Sequence, residues 1–262
     1  MARFSNNIVA GEFAMENADA LIFCEQTDTF YLYEETKKYF EPLPHRNLKE
    51  KLLSFCEENY DSPLTNSKLD DCIEFLKIKV VNKTETIFTP YIALTDFLMD
   101  TRDFTFLYHD KYKKPAFFYI PFSAKSLKES PYPKRFFQFL DEILIDPITK
   151  EPDKELQMLV QMLAGYLLQN SLKGYKVFFF LGEGNNGKSI LLSLFEKIIG
   201  KENTTSLTLS QLTTDQFAAA NIIGKKLNYR TEDESKFLKS DKFKSLVDGS
   251  KTTMRRIYGK PF

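Results

Sequence analysis

The sequence predicts an α/β protein in which a smaller α+β region, residues 1–149, precedes an α/β region, residues 150–262. Short aromatic segments alternate with helical repeats of leucine before residue 150. After it, a helix with regular apolar spacing is followed by an apolar run, a glycine-rich turn and a second apolar helix. A buried strand, a loop and a helix in this order are typical of an α/β unit.

The first region is predicted to begin with an aromatic hairpin. Residues 30–33 and 37–40 are predicted to form its two strands, and residues 34–36 its turn. Apolar residues at helical spacing predict helices over 46–60 and around 69–76, and residues 80–119 return to short aromatic segments.

Prolines at 121, 131 and 133 indicate a joint between the two regions. Residues 133–145 are predicted to be helical, and we place the domain boundary near Asp146 and Pro147. The buried face of this helix is predicted to carry Phe136, Phe137, Leu140, Ile143 and Leu144.

The second region is predicted to begin with an amphipathic helix from about Glu155 to Asn170, with apolar residues at i, i+3, i+4, i+7 and i+11. Its apolar stripe comprises Leu156, Leu159, Val160, Leu163 and Leu167. Residues 177–181 have no polar alternation, which predicts a strand covered on both faces. Residues 190–199 predict a helix, with Gly200 as its cap.

Residues 182–189 match the phosphate-loop pattern G-x-x-x-x-G-K-S/T at every position. They are Gly182, Glu183, Gly184, Asn185, Asn186, Gly187, Lys188 and Ser189. The pattern predicts backbone amides converging on a β-phosphate, a lysine neutralising β- and γ-oxygens, and a serine hydroxyl coordinating Mg²⁺. The alternative is a glycine-rich turn that binds nothing.

A carboxylate that holds Mg²⁺ and polarises the attacking water is expected at the end of a downstream strand. Residues 226–231 predict a short strand followed by three acids, and we favour Glu232, with Asp233 second. The alternative is an acidic turn between a strand and a helix.

The last fourteen residues, 249–262, contain four basic residues and no acids. Lys251, Arg255, Arg256 and Lys260 stand near an aromatic residue, a combination suited to phosphate contacts and base stacking on single-stranded DNA. A solvated charged face is an equal alternative, and Arg255 or Arg256 could instead contact nucleotide phosphates.

Composition excludes several classes of protein. Lys plus Arg and Asp plus Glu number 36 each, so a uniformly basic nucleic-acid coat protein and an acidic disordered tail are excluded. The longest apolar runs have five residues, against about 20 for a membrane helix. Three separated cysteines and two histidines argue against a disulfide framework and a His-rich metal centre. We therefore expect a soluble, cytoplasmic protein, with the cysteines as small core residues.

Three segments, 178–189, 217–228 and 247–262, together resemble the superfamily-3 helicases of phage, plasmid and poxvirus primase-helicases. The shared features are an Asn before Gly-Lys-Ser, a Gly-Lys-Lys-Leu-Asn strand entry, and Arg-Arg-x-Tyr-x-Lys-Pro-Phe near the end. The match is good over residues 150–262 and looser over residues 20–150.

The resemblance implies an AAA+-like P-loop NTPase core in a ring-forming, hexameric, ATP-dependent DNA-unwinding motor of mobile-element replication. Lys188 and Ser189 would bind ATP and Mg²⁺, and Glu232 would stand at the second acidic motif. The segment from Lys251 to Lys260 would lead into a hairpin contacting single-stranded or forked DNA.

The family continues beyond the Pro-Phe pair into a sensor strand and an arginine finger. We therefore expect an incomplete core that binds nucleotide weakly and hydrolyses little. Two competitors remain: a P-loop module serving as an interaction or regulatory protein, and a small-molecule kinase, which the lack of an arginine-rich lid disfavours.

Overall fold

A computed structural model describes residues 5–61, 65–110, 114–170, 176–182, 184, 186–231 and 240–248. The chain divides into two compact units. Unit 1 comprises Met1–Thr89 and Asp110–Phe118, and unit 2 comprises Pro90–His109 and Tyr119–Phe262. Both mix helices and strands, so the chain has a mixed α and β structure, and the P-loop NTPase core stays a prediction.

Unit 1 packs helices against a four-stranded sheet of order β3-β2-β1-β4, in which β1 pairs antiparallel with β2 and parallel with β4. Its elements are α1 (Asn6–Glu16), β1 (Leu21–Cys24), β2 (Thr29–Glu34), β3 (Tyr39–Pro42), α2 (His45–Asn59), α3 (Asn66–Lys79) and β4 (Asn82–Thr84).

The hairpin and both helices predicted in unit 1 are confirmed as β2–β3, α2 and α3. The three cysteines are buried, as expected of core residues, and burial raises the pKa of Cys56 and Cys72 to about 11. Helix α1 was not predicted from the sequence, although its N-cap Ser5 accepts a hydrogen bond from the Ile8 amide.

Unit 2 contains a three-stranded antiparallel sheet, β5-β6-β7, and a parallel pair, β8-β9. Its strands are β5 (Tyr91–Ala93), β6 (Leu98–Asp100), β7 (Thr105–Leu107), β8 (Thr204–Thr205) and β9 (Leu227–Asn228). Its helices are α4 (Ala124–Glu129), α5 (Lys134–Ile143), α6 (Lys154–Leu168), α7 (Lys188–Ile199), α8 (Leu209–Thr214), α9 (Gln216–Ala219) and α10 (Asp241–Asp248).

Helices α5, α6 and α7 share one apolar core, and their existence confirms the predicted helices. The buried members are Leu140, Leu144, Val160, Leu163, Leu167, Leu191, Leu192, Phe195 and Ile199. The predicted buried faces were partly wrong, since four of the assigned side chains are exposed: Phe136, Phe137, Leu156 and Leu159. The helices meet along narrower stripes than the apolar spacing indicates, which leaves these four outside the shared core.

The strand predicted over 177–181 is also wrong within the described chain, because residues 176–182 carry neither helix nor strand. Four of its side chains are exposed, with Leu181 at 90%. A strand needs a neighbour for its N–H and C=O groups. None of the strands in the described ranges pairs with this segment. The partly buried Phe180 packs against the helical core.

The division between units does not follow the predicted boundary at residue 150, since residues 90–109 and 119–149 lie in unit 2. The boundary between a preceding domain and a motor domain therefore stays a prediction. Across the described ranges, every helix is too short or too polar to cross a bilayer.

Candidate functional site

The described part of the glycine-rich loop leads directly into α7. Gly187 is the N-cap residue and adopts a left-handed conformation, with φ of +80°. Among the described residues no side chain caps this helix, and its first turn contains no acidic residue. The first amides of a helix lack intrahelical acceptors and carry the positive end of the helix dipole. This end of α7 is therefore suited to an anion.

The ammonium group of Lys188 folds back over the loop. Its Nζ donates to the backbone oxygen of Gly182 at 2.9 Å and to Oδ1 of Asn186 at 2.6 Å. These bonds hold the two ends of the loop together around one positive charge. The hydroxyl-bearing residue that follows, Ser189, is exposed. A cation, an exposed hydroxyl and the amides at the start of a helix are the groups that a polyphosphate and its metal ion require.

Gly187 is required by packing as well as by backbone conformation. A Cβ atom at this position would lie 2.6 Å from Cγ2 of Ile143 and 3.2 Å from Cε2 of Phe139, both on α5. Real Cβ atoms essentially never lie within 3.0 Å of another non-bonded atom, so a side chain at residue 187 would force Ile143 of α5 to shift. The loop is thus fixed against α5, although the predicted strand before it is absent from the described residues.

Gly182 occupies a second position that favours glycine. Its φ is +155°, a conformation that L side chains rarely adopt, and a Cβ atom would meet the side-chain amide of Asn186. Gly184, by contrast, has open space where a Cβ would stand. Glu183 and Asn185, which the motif also includes, lie outside the described residues.

The short strands β8 and β9 follow the loop helix and pair in parallel, with Thr204 opposite Leu227 and Thr205 opposite Asn228. Strand β9 confirms a strand start within 226–231, although it is two residues long. It is the element that leads toward the predicted acids.

Glu196 of α7 connects the loop helix to both strands. The Tyr229 hydroxyl donates to its Oε2 at 3.0 Å, and the Thr204 hydroxyl lies 3.3 Å from its Oε1. Burial raises the pKa of Tyr229, and the bond to the Glu196 carboxylate raises it further. This carboxylate therefore sets the position of β9 relative to α7.

Two further residues, one just before β9 and one at its end, attach the strand to its surroundings. The ammonium of Lys226 faces the C-terminal end of α6, where it lies 3.5 Å, 3.4 Å and 3.3 Å from the backbone oxygens of Leu167, Leu168 and Gln169. Burial lowers its pKa to about 7. The side chain of Asn228 bonds both the amide and the carbonyl of Leu207, at 2.7 Å and 3.0 Å.

The remaining predicted site residues lie outside the described residues. They are the acids Glu232 and Asp233 and the basic residues Lys251, Arg255, Arg256 and Lys260. Their proximity to the loop therefore stays a prediction. Within the described ranges, no group of three or more metal-binding side chains is assembled.

The positioning roles of Glu196, Lys226 and Asn228 were not predicted from the sequence. A signal for the last two was present, because both belong to the Gly-Lys-Lys-Leu-Asn strand entry. Glu196 gave no such signal, since a glutamate in an amphipathic helix ordinarily faces solvent.

Comparison with known proteins adds one finding. Residues 180–262 match a family of unknown function, DUF5906. The match begins two residues before Gly182 and covers the loop, α7 and β9, so the segment similar to that family is the one that contains the candidate site. None of the curated proteins searched matches the chain.

Proposed function

We propose that residues 150–262 are an ATP-dependent DNA helicase segment of the primase-helicase type, acting in the replication of a phage, plasmid or related mobile element. The observation that carries the proposal is the turn at Gly187 into a helix that no side chain caps among the described residues, with the Lys188 ammonium folded over the loop. Three parts of the proposal rest on the sequence resemblance: the DNA substrate, the ring assembly and the hydrolytic activity.

In this proposal Lys188 exchanges its bonds to Gly182 and Asn186 for bonds to β- and γ-phosphate oxygens, and the amides at the start of α7 bind the β-phosphate. The Ser189 hydroxyl and the Glu232 carboxylate would hold Mg²⁺, which neutralises charge on the phosphates. Glu232, or Asp233 beside it, accepts a proton from the attacking water while the bond between the γ-phosphorus and the bridging oxygen breaks. Lys251, Arg255, Arg256 and Lys260 contact single-stranded DNA.

A second candidate is a catalytically weak nucleotide-binding module with an interaction or regulatory role. Residues 177–181 favour this candidate. In an α/β core the segment before the phosphate loop is a buried, paired strand, whereas here four of its side chains are exposed and it pairs with no strand among the described residues. Both candidates require Mg-ATP binding at the loop, and they differ in turnover.

Isothermal titration calorimetry with Mg-ATP tests the shared requirement. The wild-type chain is expected to bind, and Lys188→Ala is expected to abolish the heat of binding because residues 182–189 then carry no cationic side chain. Lys197→Ala is the matched control, because it removes an exposed lysine from the same helix. Absence of binding by the wild-type chain contradicts both candidates.

An assay of phosphate release from ATP then distinguishes the helicase segment from the regulatory module. DNA-stimulated hydrolysis that depends on Lys188 and Glu232 supports the helicase segment. Binding without release, in the presence of single-stranded DNA, supports the regulatory module.

A further inference from the structure

Residues 132–137, Tyr132-Pro133-Lys134-Arg135-Phe136-Phe137, form an exposed aromatic and basic surface on unit 2. Tyr132 is 67% exposed, Phe136 36% and Phe137 38%. The Tyr132 and Phe137 rings are stacked with centroids 4.8 Å apart and planes 3° from parallel. Phe136 contacts Phe137 edge-on at 5.6 Å. Exposed large apolar side chains grouped in this way indicate a binding surface.

The exposure follows from how α5 packs. The helix turns Leu140 and Leu144 into the shared core. Its first turn, which carries Phe136 and Phe137, therefore extends beyond the packing against α6 and α7. Within the described residues, Phe136 and Phe137 are not members of that core.

The charge of this surface is positive. Residues 130–140 contain Lys134 and Arg135 and no acid. Arg135 forms an ion pair with Glu142 at 2.8 Å, but its side chain is 74% exposed and that of Glu142 58%. Such an exposed pair contributes little, so the guanidinium is available to another anion. Among the described residues no carboxylate pairs with Lys134.

Stacked rings beside cations match a polymer that presents one flat base and one negative charge in each repeat. We propose that residues 132–137 bind single-stranded DNA, with a base stacking on the exposed face of Tyr132 and phosphates contacting Lys134 and Arg135. The choice of DNA rests on the proposed function. The surface is separate in sequence from the basic segment at Lys251–Lys260.

This surface lies on the helix that also packs against the phosphate loop. Phe139 and Ile143 of the same helix lie against Gly187. DNA bound at the start of α5 and a nucleotide bound at the start of α7 would therefore both contact elements that pack against each other at Gly187. If the two sites are coupled, Mg-ATP and DNA change each other's affinity by the same factor.

Fluorescence anisotropy with a labelled oligothymidylate, without nucleotide, tests the stacking interaction. Tyr132→Ala is expected to weaken binding roughly tenfold, because one base loses its aromatic partner. Tyr132→Phe keeps the ring and is expected to bind as the wild type does. Tyr108→Ala is the matched control, since it removes a tyrosine that is 84% exposed elsewhere in unit 2. Circular dichroism confirms that each variant is folded.

The salt dependence tests the interaction with phosphates. Lys134→Ala combined with Arg135→Ala is expected to reduce the slope of log affinity against log salt by about 0.7 for each phosphate that the protein no longer neutralises. Lys201→Ala, which removes an exposed lysine after α7, is expected to leave the slope unchanged.

Three results overturn the proposal: no binding of the oligonucleotide by the wild-type chain, equal affinity of wild type and Tyr132→Ala, or self-association through this surface that the same variants abolish. Each can occur while Mg-ATP still binds at the loop, which leaves the proposed nucleotide site intact. Conversely, Tyr132-dependent DNA binding without Mg-ATP binding supports this surface and contradicts the proposed function.

Discussion

Gly187 has two structural roles. Its left-handed backbone begins α7, and its missing side chain allows Ile143 and Phe139 to approach. The sequence motif indicates only the left-handed turn, because the packing against α5 joins residues more than forty positions apart. The same glycine therefore fixes the loop conformation and its position in unit 2.

Gly187→Ala is expected to destabilise unit 2 by about 2–4 kcal/mol, since it adds left-handed strain and forces a methyl group against Ile143. Urea unfolding monitored by circular dichroism measures the change. Gly184→Ala, in the same loop but with open space at its Cβ position, is the control and is expected to change stability little. Equal stability of the Gly187→Ala variant and the wild type contradicts the packing role.

Among the secondary-structure elements, α7 connects the loop to the strand that leads toward the acids. Its N-terminal end carries Lys188, and Glu196 near its other end bonds Tyr229 and Thr204. Lys226 and Asn228 attach β9 to α6 and to Leu207. These side-chain bonds add to the backbone bonds from Lys226 to Asn203 and from Tyr229 to Thr205 that hold the two-residue strand.

Tyr229→Phe is expected to cost about 1–2 kcal/mol of unfolding free energy, because the Glu196 carboxylate loses a hydrogen-bond donor. Tyr166→Phe is the matched control in the same core, since its hydroxyl has no hydrogen-bond partner within the described ranges. Denaturant unfolding of both variants measures the difference. If the two variants are equally stable, Glu196 does not position β9.

At the scale of the whole molecule, the chain consists of two compact units, and the candidate loop belongs to the second. Unit 1 has its own core, formed by α1, α2, α3 and the inner strands. Ligand binding at the loop stabilises the structure that contains the loop, by mass action.

Hydrogen exchange measured by mass spectrometry is expected to show slower exchange over residues 186–199 and 226–229 when Mg-ATP is added. Unit 1 provides the internal reference, and exchange in α1–α3 is expected to be unchanged. The Lys188→Ala variant is expected to show no protection. Protection confined to unit 1 contradicts a nucleotide site at the loop.

The local elements could be predicted because their signals lie within a few residues. The 3.6-residue spacing predicted α2, α3, α5 and α6, the phosphate-loop motif and Gly200 predicted α7, and the aromatic runs predicted the β2–β3 hairpin. The loop motif placed Gly187 and Lys188 correctly at the start of a helix. These features depend on backbone preference and side-chain period, which a short stretch of sequence carries.

The sequence by itself determined helices α2, α3, α5, α6 and α7, the β2–β3 hairpin and the residue types of the candidate loop. Only the tertiary structure decided that Phe136 and Phe137 are exposed, that residues 177–181 form no strand, and that Glu196 contacts Tyr229. The reason is that periodicity shows which side of an element is apolar, whereas burial and pairing depend on which distant element packs against it.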